Sequence, residues 1–267
     1  MGVELPEVVT LARQMNVEIK GKTIEHLHIR DDWELIKTGA IILDESIIKK
    51  KIGQAYAKGK WVNVALEPGL YLLLAPEMGG RILVHEKLPE DYHVRIDFVD
   101  SCLTIRIQGW GFVRICKESE IDAYRYPGEL GLSPLDEKFT YERFCEILGA
   151  PRTNIKSILL GQKKIAGIGN GYLQDILFRA KIHPKRKIAA LNDDEKGNLY
   201  NATKDVLNEA IQCGGRNSEY DLYNSPGGYK SILNSRMKGK PCPVCETTIE
   251  KLTVQGSSSY ICPFCQK

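Results

Sequence analysis

The C-terminal end of the chain imposes the tightest constraint on how it can fold. Cys242-Pro243-Val244-Cys245 and Cys262-Pro263-Phe264-Cys265 give the spacing C-x2-C-x16-C-x2-C. Two tight turns that each present two sulfurs are what a tetrahedral four-thiolate zinc site needs. Two disulfides would use the same cysteines, but they belong to oxidising compartments. The first residues, Met1-Gly2-Val3-Glu4-Leu5-Pro6-Glu7, carry neither the basic nor the apolar region of a secretory signal. So short a module cannot build a core and needs the metal to fold. Cys242, Cys245, Cys262 and Cys265 are therefore read as ligands of a structural Zn2+, a closed site with no open position for catalysis. Cys102, Cys116, Cys145 and Cys213 are scattered and read as ordinary, mostly buried thiols.

The charge distribution points to a polyanion. The net charge of the 267 residues is only +3. Yet residues 151–187 hold nine cations (Arg152, Lys156, Lys163, Lys164, Arg179, Lys181, Lys185, Arg186, Lys187) against one acid, Asp175. That segment carries +8, so the rest of the chain sums to −5. A basic segment on an otherwise acidic chain is the electrostatic footprint of a nucleic-acid partner. No apolar run approaches the roughly 18 residues needed to span a bilayer, so no membrane role is expected.

Periodicity divides the chain. Val8, Leu11, Ala12, Met15 and Ile19 share one face of a helix predicted over about 5–20. Short β-rich runs follow at 61–66, 70–74, 81–84, 103–107 and 112–116, the pattern of an antiparallel sandwich or barrel. Beyond a Pro- and Gly-bearing stretch, helices are predicted at 141–148, 155–160, 172–180 and 193–212. The expected division is 1–125 as an N-terminal β-sandwich domain, 126–136 as a linker, 137–235 as a helical domain and 236–267 as the cysteine module.

Within the basic segment lies Lys163-Lys164-Ile165-Ala166-Gly167-Ile168-Gly169-Asn170-Gly171. Helical patterns flank it, which argues against a dinucleotide-binding fingerprint, since that motif follows a strand. A glycine-rich turn opening a helix collects free backbone N–H groups and the positive end of the helix dipole, a ready phosphate site. With the surrounding lysines it reads as a helix–turn–helix gripping a DNA backbone.

Taken together, these motifs resemble the formamidopyrimidine-DNA glycosylase / endonuclease VIII family of base-excision repair enzymes. Glu4-Leu5-Pro6-Glu7-Val8 is similar to the family's N-terminal signature. Ile165-Ala166-Gly167-Ile168-Gly169-Asn170 and Arg179-Ala180-Lys181-Ile182-His183-Pro184 resemble its helix–two-turn–helix. Pro226-Gly227-Gly228-Tyr229 falls where the family has a flexible lesion loop, and the four cysteines where it has a zinc finger. The resemblance implies an α+β, bilobal protein. An N-terminal helix and antiparallel β-sandwich would face a helical domain with the zinc finger, with damaged or abasic double-stranded DNA in the cleft. The implied chain is a monomer, cytoplasmic and nucleoid-associated when on DNA. The damaged base would be flipped out and excised.

The resemblance also implies residue roles. The family nucleophile is the N-terminal amine, here on Gly2 once Met1 is removed. An α-amine with a pKa near 7.7–8.0 is substantially neutral and nucleophilic at physiological pH. Glu4 takes the place of the proton-handling glutamate, and Glu7 that of the second acid. Lys60 matches the β-hairpin lysine that enters the lesion site, and Met78 the residue wedged into the gap left by the flipped base. Lys163 and Asn170 match phosphate-binding positions, with Gly169 between the turn and the helix.

Three departures stand out. The family has one residue between the initiator Met and the first Glu, whereas Gly2 and Val3 both precede Glu4 here. The amine is thereby displaced by one residue, up to about 3.6 Å. Ser257 stands where the zinc finger carries a phosphate-gripping arginine. The family's void-filling Arg and Phe are not recovered in Gly109-Trp110-Gly111-Phe112-Val113, so Trp110 or Phe112 would fill the stack. The expected function is a DNA glycosylase with AP-lyase activity through the amine. The alternative is a non-catalytic damage- or structure-specific DNA-binding protein on the same fold.

Overall fold

The computed structural model describes residues 2–30, 33–85, 91–121, 129–149 and 152–267. The proposed linker positions 126–128 therefore lie outside the described residues. The chain forms two compact units, one of residues 1–129 with 211–229, the other of 130–210 with 230–267. Sequence grouped 211–229 with the helical domain; their contacts place them with the first unit.

The first unit opens with helix α1 (Leu5–Glu18), which has Pro6 and Glu7 in its first turn. Proline is tolerated there because the early N–H groups have no intrahelical acceptor. Its strands are β1 (His26–Ile29), β2 (Ile41–Ile42), β3 (Lys51–Lys58), β4 (Trp61–Glu67), β5 (Leu70–Ala75), β6 (Arg81–His85), β7 (Val94–Asp97), β8 (Cys102–Arg106) and β9 (Phe112–Lys117), with a short helix α2 (Trp33–Lys37) after β1. They form a four-stranded sheet, β1-β7-β8-β6, and a five-stranded one, β2-β9-β5-β4-β3. The pairings between these strands are antiparallel except β2 with β9, which run parallel. The sandwich is thus not purely antiparallel. Two-residue β2 comes from a distant part of the chain and joins the edge of the sheet rather than folding back as a hairpin.

One hydrophobic cluster fills this unit. Val8, Leu11, Ala12 and Met15 of α1 meet Val62, Val64, Leu72, Leu74 and Val113 from the larger sheet, with Ile82, Val94, Ile96, Leu103 and Ile105 from the smaller. The period-2 alternation of β4 and β5 sends these residues inward together. Leu222 joins the same cluster, and its carbonyl accepts the Val84 amide at 3.0 Å.

The second unit holds α3 (Tyr141–Leu148), α4 (Ile155–Leu160), α5 (Asn170–Arg179) and α6 (Asp193–Gln212), whose end passes into the first unit, then the hairpin β10 (Glu250–Val254) and β11 (Ser257–Ile261). Thr140 and Asn154 cap α3 and α4 by accepting the backbone N–H groups of Arg143 and Ser157. No described helix is long and apolar enough to cross a membrane.

Candidate active site and metal centre

The N-terminal signature forms a buried ionic knot in the first unit. Glu4 precedes α1 in extended conformation, and its backbone N–H donates to Glu7 Oε2 at 2.8 Å. The other oxygen, Glu7 Oε1, accepts the Arg216 backbone N–H at 2.9 Å and its Nε at 3.2 Å. Arg216 continues to the Gly2 carbonyl, to which Nη2 donates at 2.7 Å, and forms ion pairs with Glu4 at 3.6 Å and Glu219 at 3.7 Å. Glu4, Glu7, Arg216 and Glu219 are all at most 5% exposed. Burial pushes the Glu219 carboxyl up to about 7, against the pull of Arg216, with the negative charge of Glu7 adding to the rise.

Glycines bring this knot together. Gly215 has φ +98°, and a Cβ there would lie 2.9 Å from Glu7 Cγ. Only glycine both adopts that conformation and leaves room for the carboxylate. Gly2 sits against the turn after β5: a Cβ on it would approach Glu77 Oε2 to 2.7 Å and the Met78 amide to 3.1 Å.

The remaining candidates of this unit gather near the same turn. Register pairs Lys58 with Trp61, Val62 with Leu74 and Ala75 with Phe112, which sets the Lys60 hairpin, the Pro76–Gly80 turn and the start of β9 at one end of the larger sheet. The Gln108 amide donates to the Pro76 carbonyl at 3.3 Å, joining the Met78 turn to the Trp110 turn. Met78 is exposed, with Glu77 before it in the left-handed region at φ 55°. Trp110 is 92% exposed, so it is no core residue. Phe112 instead packs on the sheet, its ring 6.0 Å from Trp61 with the Arg114 guanidinium 4.9 Å away.

The 217–228 segment is bound to α1. The Gln14 side chain donates to Asp221 Oδ2 at 2.8 Å and accepts the Leu222 amide at 2.9 Å. Tyr223 reaches Glu18 at 2.7 Å, and Arg81 lies over the Tyr220 ring at 3.9 Å. Sequence reasoning missed Arg216 and Glu219, which sit in a Gly-, Ser- and Asn-rich stretch that reads as loop. The available signal was a pair of opposite charges at i and i+3 directly after Gly214-Gly215.

In the second unit, the turn between α4 and α5 is held by Gln162, whose Oε1 accepts the Gly167 amide at 2.8 Å while Nε2 donates to the carbonyls of Ile168 and Leu160. Gly169 is the N-cap of α5, and Lys163 is exposed on the turn. The Asn170 Oδ1 atom is buried and accepts no hydrogen bond from a described residue. Several cations of the basic segment are engaged by other groups of the protein. Lys156 is fully buried and donates to Ser259 Oγ at 2.9 Å and the Ser257 carbonyl at 3.2 Å, burial lowering its pKa. Arg179 pairs with Glu209, and Arg186 with Glu195. The lone acid, Asp175, is buried and accepts the Ile232 and Leu233 amides.

The four cysteine sulfurs lie within 4.8 Å of one another, with Cys245 and Cys262 at 3.4 Å and Cys242 and Cys265 at 3.9 Å. Tetrahedral zinc at its usual 2.3 Å bonds separates sulfurs by about 3.8 Å, so the donor set and its spacing fit the ion. Gln174 orients the hairpin from α5, donating to the Ser258 carbonyl at 3.1 Å and accepting the Tyr260 amide at 3.0 Å.

Three family models match the chain in order. They are the formamidopyrimidine-DNA glycosylase N-terminal domain over 3–108, its H2TH domain over 130–221, and the zinc finger found in FPG and IleRS over 239–267. The first match begins at Val3, one residue after Gly2. A formamidopyrimidine-DNA glycosylase of Pelotomaculum thermopropionicum is 32% identical over 272 residues, covering 99% of each chain. Among solved structures, the MutM (Fpg) protein of Thermus thermophilus superposes with TM-score 0.86 at 27% identity, covering 98% of each. A Lactococcus lactis Fpg in complex with abasic-site DNA gives 0.85 at 25%, covering 99% of each. With full-length relatives, all three domain models and the four-thiolate zinc finger in agreement, the chain belongs to the formamidopyrimidine-DNA glycosylase family.

Proposed function

We propose that this protein excises a damaged base from duplex DNA and then acts on the abasic sugar through the amine of Gly2, exposed by removal of Met1. The observation that carries the reading is the N-terminal segment itself. Gly2 is held against the Glu77–Met78 turn, with Glu4 and Glu7 buried immediately behind it. In this reading Glu4 moves protons at the sugar, Glu7 fixes the start of α1, and Lys60 reaches the lesion from its hairpin. Met78 and Trp110 enter the gap in the stack; exposure favours Trp110 over Phe112, which supports it from the sheet. Lys163, Gly169 and Asn170 hold the phosphate backbone at the start of α5. The same reading divides labour as in the sequence segments, 1–125 for chemistry, 126–136 as linker, 137–235 for backbone binding and 236–267 as the finger, with 211–229 serving the first. It has the protein working as a monomer in the cytoplasm, on the nucleoid.

The displaced amine and Ser257 favour a second reading, a damage-binding protein without lyase chemistry. Borohydride trapping on a duplex with one abasic site separates the two. The neutral amine condenses with the C1′ aldehyde, water leaves, and hydride reduces the resulting C=N bond to a stable amine. A covalent adduct mapped to Gly2 is expected. An adduct at Lys60 would reroute the mechanism, and tight binding without any adduct would favour the second reading.

A further inference from the structure

Arg216 links three groups that matter to an N-terminal nucleophile. Its backbone N–H and Nε hold Glu7 Oε1, Glu7 Oε2 holds the Glu4 amide, and the far end of the guanidinium donates to the Gly2 carbonyl at 2.7 Å. The chain is thus held on both sides of Val3, by the clamp on the Gly2 carbonyl and by the hydrogen bond from the Glu4 amide. Resting on the reading of Gly2 as nucleophile, we propose that Arg216 is a positioning residue, fixing the Gly2 carbonyl so that the amine on the same residue is held beside the Met78 turn.

The physical case is one of reach and rigidity. A free N-terminal residue turns about two backbone dihedrals, and a displacement of about 1 Å can cost a hundredfold in rate. A guanidinium donates from both ends of a planar fork, whereas a lysine ammonium is a point donor on a flexible stem. Because Arg216 is 1% exposed and packed with Glu4, Glu7 and Glu219, its geometry is set by the unit's interior rather than by solvent. A Cβ on Gly215 would strike Glu7 and one on Gly2 would strike the Glu77–Met78 turn, so glycine at the two positions lets the backbone lie close to these neighbours.

The test compares wild type with Arg216→Lys, which keeps the charge beside Glu7 but cannot span to Gly2. Single-turnover borohydride trapping on the abasic duplex is expected to slow about a hundredfold, with duplex Kd within about threefold and thermal midpoint within a few degrees. A merely structural role would move the midpoint and Kd together with the rate. Should Arg216→Lys not fold, Arg216→Gln keeps a planar side chain beside Glu7 but is too short to reach the Gly2 carbonyl, and trapping is expected to fall likewise. A wild-type trapping rate in that variant would overturn the clamp. A Gly2 adduct forming at the wild-type rate in Arg216→Lys sinks the clamp and leaves the amine reading standing. Absence of a Gly2 adduct in the wild type overturns both.

Discussion

Glu4 and Glu7 were legible because they lie within one short motif and next to the helix they cap; Arg216 was not, because its contact with Glu7 spans about two hundred positions of chain, and Glu219 takes its meaning from Arg216. The knot they form has a measurable pH signature. The Glu219 carboxyl rises from 4.5 to about 7 on folding, so the folded chain binds that proton more tightly than the unfolded one. Its contribution to stability is full below about pH 4.5 and is lost as pH rises through 7, by roughly 3 kcal/mol at most. Denaturant unfolding at pH 5 and pH 8 should therefore show wild type losing stability relative to Glu219→Gln, which cannot ionise. Equal pH slopes for the two proteins would remove Glu219 from the knot's energetics.

At the scale of elements, the longer helices were readable, whereas the five-residue α2 and several strands were not. Leu148, Leu160 and Gln212 end their helices where the 3.6-residue pattern runs out. By contrast β3, Lys-Ile-Gly-Gln-Ala-Tyr-Ala-Lys, carries polar residues and a glycine, and its register shifts between Ile52 and Ala55, which blurs the alternation. Strand β11, Ser-Ser-Ser-Tyr-Ile, has almost no apolar signal because its partners are Gln174, Lys156 and the finger rather than a sheet core. Such an element depends on the metal. Cys245→Ser should lower bound zinc from one per chain toward none and strip hydrogen-exchange protection from 250–261, with protection of β4 and β5 unchanged. Retained protection in the metal-free variant would mean that Lys156 and Gln174 hold the hairpin without zinc.

For the whole molecule, the sequence placed the charge correctly on one segment but overstated how much of it faces solvent. Lys156, Arg179 and Arg186 are engaged within the protein, for a reason no charge count contains: the basic segment also builds the core of its own unit, so some cations must be buried or paired. Arg152, Lys163, Lys164, Arg179, Lys181, Lys185 and Lys187 are exposed, Arg179 while paired with Glu209 and Lys187 while donating to the Arg152 carbonyl. Each phosphate neutralised contributes about −0.9 to the slope of log affinity against log salt. Seven exposed cations therefore set a slope from this segment no steeper than about −6, against about −8 had all nine reached the backbone. Fluorescence anisotropy on an abasic duplex between 50 and 200 mM salt should accordingly show a loss from this segment of no more than about 4,000-fold. Lys163→Ala should flatten the slope by about 0.9, whereas Lys156→Met should leave it unchanged and instead lower the unfolding free energy by about 1–3 kcal/mol, because the Ser257 carbonyl and Ser259 hydroxyl lose their buried donor. A slope change on removing Lys156 would place that lysine at the phosphates rather than beneath the finger hairpin.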